Sequence, residues 1–379
     1  MSVTSHPSRH ADVLIVGGGV IGMAIADALA AEGPAIRVVE AEAVGSGASG
    51  AAAGMLAPIG EADLDSPLLQ LGLESLGRFE PLCGRLREET GIDPEYERSG
   101  LLHVARAGPE VEALAARYRA TRDAAAAQSW IIAPELEWLD EPALRQTEGD
   151  LAPELVAGLF SPNESHLRPP LLVRALEASC RSRGVRIDSG VRVDRLLLDR
   201  DRVIGVESSA GVIHADVTVL AAGVWTPALL ARDGLSPACA AIEPVRGQML
   251  VLEAPLPTIE SICWSSDVYF VQKRDASWII GATEERVGFD RRVTAEGVSW
   301  LLERAQRVFP GVADGTFNRA WAGLRPVSGD GLPWVGPVPD REGLLIAAGH
   351  GRNGVLLAPI TAELIVDTLL GKAGPETAL

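Results

Sequence analysis

A glycine-rich run and one acidic residue near the N-terminus have the spacing of a nucleotide-binding loop. The run GGGVIG begins at Gly17, directly after the apolar stretch VLIV, and Glu40 ends the next apolar stretch, IRVV. In such a loop Gly17 allows a tight turn, Gly19 lets the backbone approach a pyrophosphate, and Gly22 lets helix and strand pack closely. A carboxylate at the position of Glu40 can accept hydrogen bonds from a ribose. We therefore predict a bound dinucleotide, and this spacing alone does not separate NAD from FAD.

A second polar turn interrupts an apolar region near the C-terminus. The stretch AAGHGRNGVLLAPI covers residues 347–360 and combines three glycines with a histidine, an arginine and an asparagine. We predict a strand over residues 343–348, a tight turn, and a helix that opens at about Gly354. Because the first N–H groups of a helix have no partners within it, we expect them to point at a ligand.

A third segment, from Gly45 to Gly54, consists only of glycine, alanine and serine. It is either a flexible linker or a ribbon of backbone that lies against a flat ligand, where larger side chains would collide. A linker inside a domain of this kind would be unusual, so we favour the ribbon.

The elements that must position these segments follow from the periodicity of the apolar residues. The glycine loop has the order strand, turn, helix, strand, with the helix over residues 21–31. We predict further helices from Ser66-Pro67 to about Gly91, from Pro109 to about Gln128, and after the cap residue Thr294. Strands are predicted as an antiparallel meander from Gly184 to Val219, and as a second sheet from residues 245–253, 268–273 and 278–282. Because no linker separates these parts, we expect two interleaved domains.

Composition excludes several classes of function. The 379-residue chain carries a net charge of −17, which argues against a nucleic-acid partner or an anionic membrane. Its four cysteines lack C-x-x-C spacing, so we expect neither a disulfide framework nor a metal site. The first residues show no apolar core of a signal peptide, and no run of about 20 apolar residues marks a membrane span. We therefore expect a cytoplasmic protein without a membrane partner.

The glycine loop, Glu40 and the run AAAGML at residues 51–56 together resemble the D-amino acid oxidase family of FAD enzymes, and within it the glycine oxidases. The resemblance covers nearly the whole chain. Its further matches are SPNESHLRPPLL (161–172), VLAAGVWT (219–226), WAGLRPVSGDGLPWVGP (321–337) and GHGRNGVLLAP (349–359).

This resemblance implies an α/β fold of two interleaved parts. A Rossmann-like FAD-binding domain of the glutathione-reductase type would alternate along the chain with a substrate domain built on an antiparallel sheet with helices. On this basis we assign residues 1–85, 150–228 and 325–379 to the FAD-binding domain. Residues 86–149 and 229–324 are assigned to the substrate-binding domain.

The resemblance also implies which residues contact the FAD. Val193 corresponds to a valine at the adenine end. The backbone from His350 to Leu356 would lie along the pyrimidine edge of the flavin, where a helix N-terminus favours the negative charge of the reduced ring. The implied cofactor residues are Gly17, Gly19, Val20, Ile21, Gly22, Glu40, Ala41, Ala48, Ser49, Ala53, Gly54, Met55, Val193, Ala222, Gly223, His350, Gly351, Arg352, Asn353, Gly354, Val355 and Leu356.

One departure from the family concerns the attachment of the FAD. Related sarcosine oxidases that act as monomers bind FAD covalently through a cysteine in the segment that reads WAGLRP here. Gly323 occupies that place, and the nearest cysteine, Cys263, lies far away in sequence. The resemblance therefore implies non-covalent FAD and disfavours a sarcosine oxidase of that kind.

Oxidation of an amino acid by flavin requires the protein to fix a carboxylate, leave the amine free to lose a proton, and exclude water. Arg325 suits the first task, because a guanidinium binds a carboxylate through two parallel hydrogen bonds. Tyr269 matches a family tyrosine that makes a second carboxylate contact, although a tyrosine in a strand often only packs. Arg352 either approaches the flavin or the substrate, or only holds its loop. We assign no catalytic acid or base, since His350 and His166 more often satisfy backbone groups of their loops.

The activity implied by the resemblance is that of an oxidase. Glycine, sarcosine or a small D-amino acid would react with water and oxygen to give an oxo acid, ammonia or an amine, and hydrogen peroxide. Such an enzyme would supply glycine imine for the thiazole of thiamine and would form a homo-oligomer, by carry-over a tetramer. Two alternatives stay open: an FAD-dependent D-amino acid dehydrogenase with a non-oxygen acceptor, and a flavin-binding scaffold without turnover. The presence of Arg325 and Tyr269 argues against the scaffold, which would need neither.

Overall fold

The computed structural model describes residues 10–61, 66–127, 135–232 and 241–372, and these contain two large sheets. The strands, in chain order, are β1 (His10–Val16), β2 (Ile36–Glu40), β3 (Met55–Leu56), β4 (Leu101–Arg106), β5 (Glu137–Leu139), β6 (Leu155–Ser161), β7 (Ser165–His166), β8 (Arg186–Ser189), β9 (Val193–Asp199), β10 (Arg202–Ser208), β11 (Gly211–Leu220), β12 (Ile242–Glu253), β13 (Ile262–Trp264), β14 (Tyr269–Gln272), β15 (Trp278–Gly281), β16 (Thr316–Ser328), β17 (Trp334–Pro337) and β18 (Leu344–Ala348). The helices are α1 (Val20–Ala30), α2 (Ala48–Ala51), α3 (Pro58–Glu61), α4 (Pro67–Leu76), α5 (Phe79–Thr90), α6 (Pro109–Ala126), α7 (Glu141–Thr147), α8 (Pro169–Ser182), α9 (Thr226–Arg232), α10 (Ala295–Gln306) and α11 (Ala358–Leu369).

The first sheet has the strand order β17-β18-β11-β1-β2-β8, and β9 and β10 extend it from β11. β1 pairs in parallel with β2 and β11, and β8 and β18 continue the parallel arrangement on either side. Successive residues of β1 point to opposite faces, so Val13 and Ile15 join the apolar cluster formed with α1, α8 and α11, whereas Leu14 and Val16 join a cluster with β9, β10 and β11. This is the α/β arrangement that the glycine loop predicts.

The second sheet has the order β16-β12-β15-β14-β13-β4-β6-β5 and is antiparallel except for the pair β4 and β13. One face is packed against α10, and there Phe270 and Trp278 each lie with their ring centroid 5.0 Å from that of Phe309. The opposite face carries Tyr269 and Met249. The three predicted strands of this sheet are confirmed, and their alternation turns one set of side chains towards a cavity between the two sheets.

Three predicted elements differ from the structure. The helix predicted from Ser66 to Gly91 is two helices, α4 and α5, because the chain turns at Gly77 and Arg78, although the Ser66 hydroxyl caps α4 by accepting a hydrogen bond from the amide of Leu68. The meander is shorter than predicted. It comprises β9 to β11, whereas β8 pairs in parallel with β2 because the crossover through α8 returns the chain to the other end of the sheet. The end predicted at Gln128 for α6 lies outside the described residues.

The third difference concerns the C-terminal helix. It begins at Ala358 and not at Gly354. Residues 351–357 form consecutive turns, with the amide of Leu357 donating to the carbonyl of Asn353 at 2.8 Å. Pro359, in the first turn of α11, has the fixed φ that suits this position, so the regular helix starts there.

The division of the chain into two domains remains a proposal. Most strands of the proposed FAD-binding ranges lie in the first sheet. The strand Leu155–Ser161 is an exception, since it pairs with β4 and β5 in the second sheet.

Candidate active site

A cavity of about 480 Å³ lies between the glycine loop and the second sheet. Its walls come from the start of α1, the segment 45–55, the loop after β18, and the facing residues of β12, β14 and β16. Its size falls within the usual range for small-molecule sites. Parts of the chain far apart in sequence therefore meet around one space.

The glycine loop forms one end of this cavity through close backbone contacts. A side chain at Gly22 would place its Cβ 2.0 Å from the carbonyl oxygen of Gly17, so only glycine fits there. The Glu40 carboxylate accepts hydrogen bonds from the amides of Gly18 at 2.7 Å and Glu42 at 2.9 Å. Glu40 thus orders the backbone of the loop while it also lines the cavity.

The small-residue segment lies on the cavity wall, but it is not an extended ribbon. It contains the helical turn α2, and the hydroxyl of Ser49 accepts a hydrogen bond from the amide of Val20 at 2.9 Å. Gly323 on β16 faces this turn so closely that a Cβ there would lie 2.5 Å from the Cβ of Ala51. The described residues that line the cavity include no cysteine.

Most of the residues predicted to bind the cofactor line the cavity. They are Gly17, Gly19, Val20, Ile21, Glu40, Ala41, Ala48, Ser49, Ala53, Gly54, Met55, Val193, Ala222, Gly223, His350, Gly351, Arg352, Gly354 and Val355. Gly22, Asn353 and Leu356 are not among the described residues that line the cavity. An acidic side chain at one end, the N-terminus of α1 beside it and a wall of small residues form a donor and acceptor set that fits a dinucleotide such as FAD.

Arg325 lies at the other end of the cavity, on β16. Its guanidinium donates a hydrogen bond to the carbonyl of Thr283 at 3.0 Å, and among the described residues it forms no ion pair with a carboxylate. The guanidinium lies across Gly247 of the neighbouring β12, where a Cβ would be 2.4 Å from Nη2 of Arg325. A half-buried cation without an anionic partner is suited to bind a carboxylate ligand.

Tyr269 lines the cavity beside Arg325. Its ring meets Trp264 edge to face at 5.8 Å, and its hydroxyl lies 3.1 Å from the sulfur of Met249. Gly281 on β15 is its direct neighbour, and a Cβ there would lie 2.3 Å from the hydroxyl oxygen. Burial raises the pKa of Tyr269 to about 12, so the phenol stays protonated and can donate a hydrogen bond.

Glu61 is a site residue that the sequence did not reveal. It ends α3, its side chain is only 6% exposed, and its Oε2 contacts Nε of Arg352 in an ion pair. Burial raises the pKa of Glu61 to about 6, while the charges of Arg352 and Arg325 act to lower it. Arg352 also lies over the ring of Trp264 at 5.1 Å. Arg352 therefore faces the cavity with its charge already paired.

Two glycines of the second sheet are also site residues that sequence reasoning missed. Gly281 ends the apolar strand β15 and Gly247 lies inside the long strand β12, and a glycine in a strand is the signal that could have found them, since such glycines mark close approach of another group. They provide the space that Arg325 and Tyr269 fill. No comparable pattern marks Glu61, because it is one of three acids in the run EADLD and its spacing does not distinguish it from the other two.

The two histidines considered as bases are held in structural contacts. His350 lines the cavity, yet its Nε2 lies 3.0 Å from the hydroxyl of Thr361, and burial lowers its pKa to about 3. His166 is buried, does not line the cavity, and also has its pKa lowered to about 3 by burial. Both are therefore neutral near pH 7, and the predicted role of satisfying backbone groups stays a prediction.

Comparison with known proteins is consistent with this geometry. The family described as DAO, FAD dependent oxidoreductase, matches residues 12–368. The chain is 36% identical to the glycine oxidase of Geobacillus kaustophilus over 97% of this chain and 94% of that protein. The crystal structure of the glycine oxidase from that organism superposes with a TM-score of 0.91 at 35% identity, covering 97% of this chain and 96% of the other. The bifunctional protein ThiO/ThiG of Nostoc sp. is 34% identical over 95% of this chain, which spans only 52% of that longer protein.

Among the described residues, no helix combines the length and the apolar character needed to cross a membrane.

Proposed function

Because the chain belongs to the DAO family of FAD dependent oxidoreductases, we propose that it is a glycine oxidase that also accepts sarcosine and small D-amino acids. The products would be the oxo acid, ammonia or an amine, and hydrogen peroxide. The observation that carries this proposal is the pair Arg325 and Tyr269, a cation that forms no ion pair within the described part of the chain beside a protonated phenol in the cavity that fits FAD.

Each residue of the site has a separate role in the proposed reaction. Arg325 binds the substrate carboxylate through its planar fork, and Tyr269 donates a further hydrogen bond to it. Met249 lines this part of the cavity and belongs to the same buried apolar cluster as Trp264, and this apolar surface helps to exclude water from the bound amine. The glycine loop, Glu40 and the loop after β18 would hold FAD, which would supply the acceptor for the hydride of the α-carbon and the route for its electrons to oxygen. No side chain is assigned as a base, because His350 is held by Thr361.

The cellular role is part of the same proposal. Glycine imine released by the enzyme would supply the thiazole of thiamine, and the match to a bifunctional ThiO/ThiG protein supports this role. The cytoplasmic location and the homo-oligomeric, tetrameric assembly rest on the family resemblance alone. Light scattering on the eluted peak of a gel-filtration column measures the assembly directly.

The proposal is tested by a peroxide assay on the purified, FAD-loaded protein with glycine, sarcosine, D-alanine and D-proline in air. We expect peroxide from glycine and sarcosine at rates that saturate with substrate. If peroxide does not form but an artificial dye is reduced, the protein is a dehydrogenase. If neither acceptor is reduced with any of the four, the proposal is wrong.

A further inference from the structure

Two guanidinium groups face the same end of the cavity, and their partners differ. Arg325 donates to a backbone carbonyl and forms no ion pair with a carboxylate among the described residues, whereas Arg352 is paired with the buried carboxylate of Glu61. The charges of both arginines act to lower the pKa of Glu61 and the pKa of Tyr269, so the four groups lie close enough to interact. Among the residues that the structure describes, Arg352 is thus paired with a carboxylate, whereas Arg325 is bound to a backbone carbonyl.

The other ionisable groups at this end carry no charge near neutral pH. Tyr269 and His350 are neutral, as their pKa values of about 12 and about 3 require. Glu164, from the turn between β6 and β7, lies behind α3 and accepts a hydrogen bond from the amide of Ile59 at 2.6 Å. Burial, with the charge of Glu61 adding to it, raises the pKa of Glu164 to about 8. Among the described residues that line this end of the cavity, the net charge near neutral pH is therefore one, on Arg325.

We propose that Arg352 is a second anion site, and that Glu61 masks it and thereby restricts the substrate to an amine with a single carboxylate. This inference rests on the proposed function, since it concerns the substrate of the same site. Arg352 is 44% exposed, so it lies on the solvent side, where the far end of a longer substrate would reach. A second carboxylate there would lie beside the carboxylate of Glu61 as well as the guanidinium, and the two negative charges would repel each other.

The decisive variant is Glu61→Gln, which keeps the size of the side chain and removes its charge. We compare binding of glycolate, with one carboxylate, and diglycolate, with two, to the FAD-loaded protein by titrating the change in flavin absorbance. Glu61→Gln should tighten diglycolate relative to glycolate by about tenfold or more, because a hydrogen bond to a charged group is gained without a competing anion. The ratio of kcat/KM for iminodiacetate over glycine should rise in parallel.

A double variant separates masking from a general change in the site. Adding Arg352→Met to Glu61→Gln should abolish the gain, because the unmasked cation is then absent. The matched control is Glu363→Gln, which removes an exposed carboxylate paired with Arg78 on the surface and should leave the ratio unchanged. A gain that survives Arg352→Met would overturn the proposal, as would an unchanged ratio in Glu61→Gln.

The unaltered protein offers an independent test if Glu61→Gln does not fold. The described groups that act on Glu61, or on Glu164 beside it, are Arg352, Arg325, Tyr269, Arg117 and Glu164, and below pH 7 none of these changes its charge appreciably. Lowering the pH from about 7 to about 5 protonates Glu61, whose pKa is about 6, and should therefore favour diglycolate over glycolate. A constant ratio over this range contradicts the masking role. If the protein oxidises no amine, the proposed function fails, yet these binding ratios still judge this inference.

Discussion

Replacement of Arg325 by alanine tests the placement of the substrate most sharply. The guanidinium lies across Gly247 and, among the described residues, donates to the carbonyl of Thr283 alone, so its loss should leave the two sheets intact. The substrate carboxylate would then be desolvated without its charged partner. Such a loss costs about 3 kcal/mol, which corresponds to roughly a hundredfold in kcat/KM. Arg325→Lys should restore only part of the activity, since an ammonium cannot reproduce the planar fork.

The assay is steady-state peroxide production with glycine, together with the FAD content of the purified variant. We expect a raised KM for every substrate with FAD content unchanged, and loss of the flavin spectral change on addition of glycolate. Arg319→Ala is the matched control, because Arg319 lies exposed on the same strand and stacks on Trp321. Near-normal kcat/KM in Arg325→Ala refutes the assignment. A variant whose sole defect is loss of FAD places the arginine beside the cofactor and also refutes it.

Three further predictions concern the cofactor and the glycines of the second sheet. Denaturation should release all of the flavin into the supernatant, because no described residue of the cavity wall is a cysteine; colour that stays with the precipitated chain contradicts this. Glu40→Ala should lower the FAD retained after extensive dialysis, since both the ribose and the amide of Gly18 lose an acceptor, and full retention would leave Glu40 without a role in binding. Gly281→Ala should raise the KM for glycine while FAD stays bound, because the added Cβ would lie 2.3 Å from the hydroxyl oxygen of Tyr269; overpacking of this kind costs about 1–3 kcal/mol, and an unchanged KM would show that the phenol does not contact the substrate.

The cofactor end of the site could be predicted from sequence because its chemistry depends on backbone. A tight turn, a close helix and an acid at the end of the next strand are local features. The sequence from Gly17 to Glu40 contains all three within a few tens of residues. Gly17, Gly19 and Glu40 line one cavity in the structure, whereas Gly22 does not. The predicted start of α11, at about Gly354, is wrong because a run of glycine turns has the same sequence pattern as the start of a helix. The regular helix begins at Ala358, with Pro359 in its first turn.

The substrate end could be predicted only in part because it is assembled by strand register. Tyr269, Gly281 and Met249 come from β14, β15 and β12, and they become neighbours through the pairs Tyr269 with Gly281 and Met249 with Gly281. Arg325 reaches the same place from β16. No spacing along the chain reports such pairing. Glu61 could not be predicted for the same reason, since its role depends on an ion pair with Arg352, which is distant in sequence.

The central claim is most directly tested by following the flavin absorbance of the purified protein when glycine is added without oxygen. If the protein is a glycine oxidase, glycine should bleach the yellow flavin, and admitting oxygen should restore the colour with one hydrogen peroxide formed per glycine consumed. Bleaching that oxygen does not reverse would make the protein a dehydrogenase. A flavin that glycine leaves fully oxidised would contradict the account.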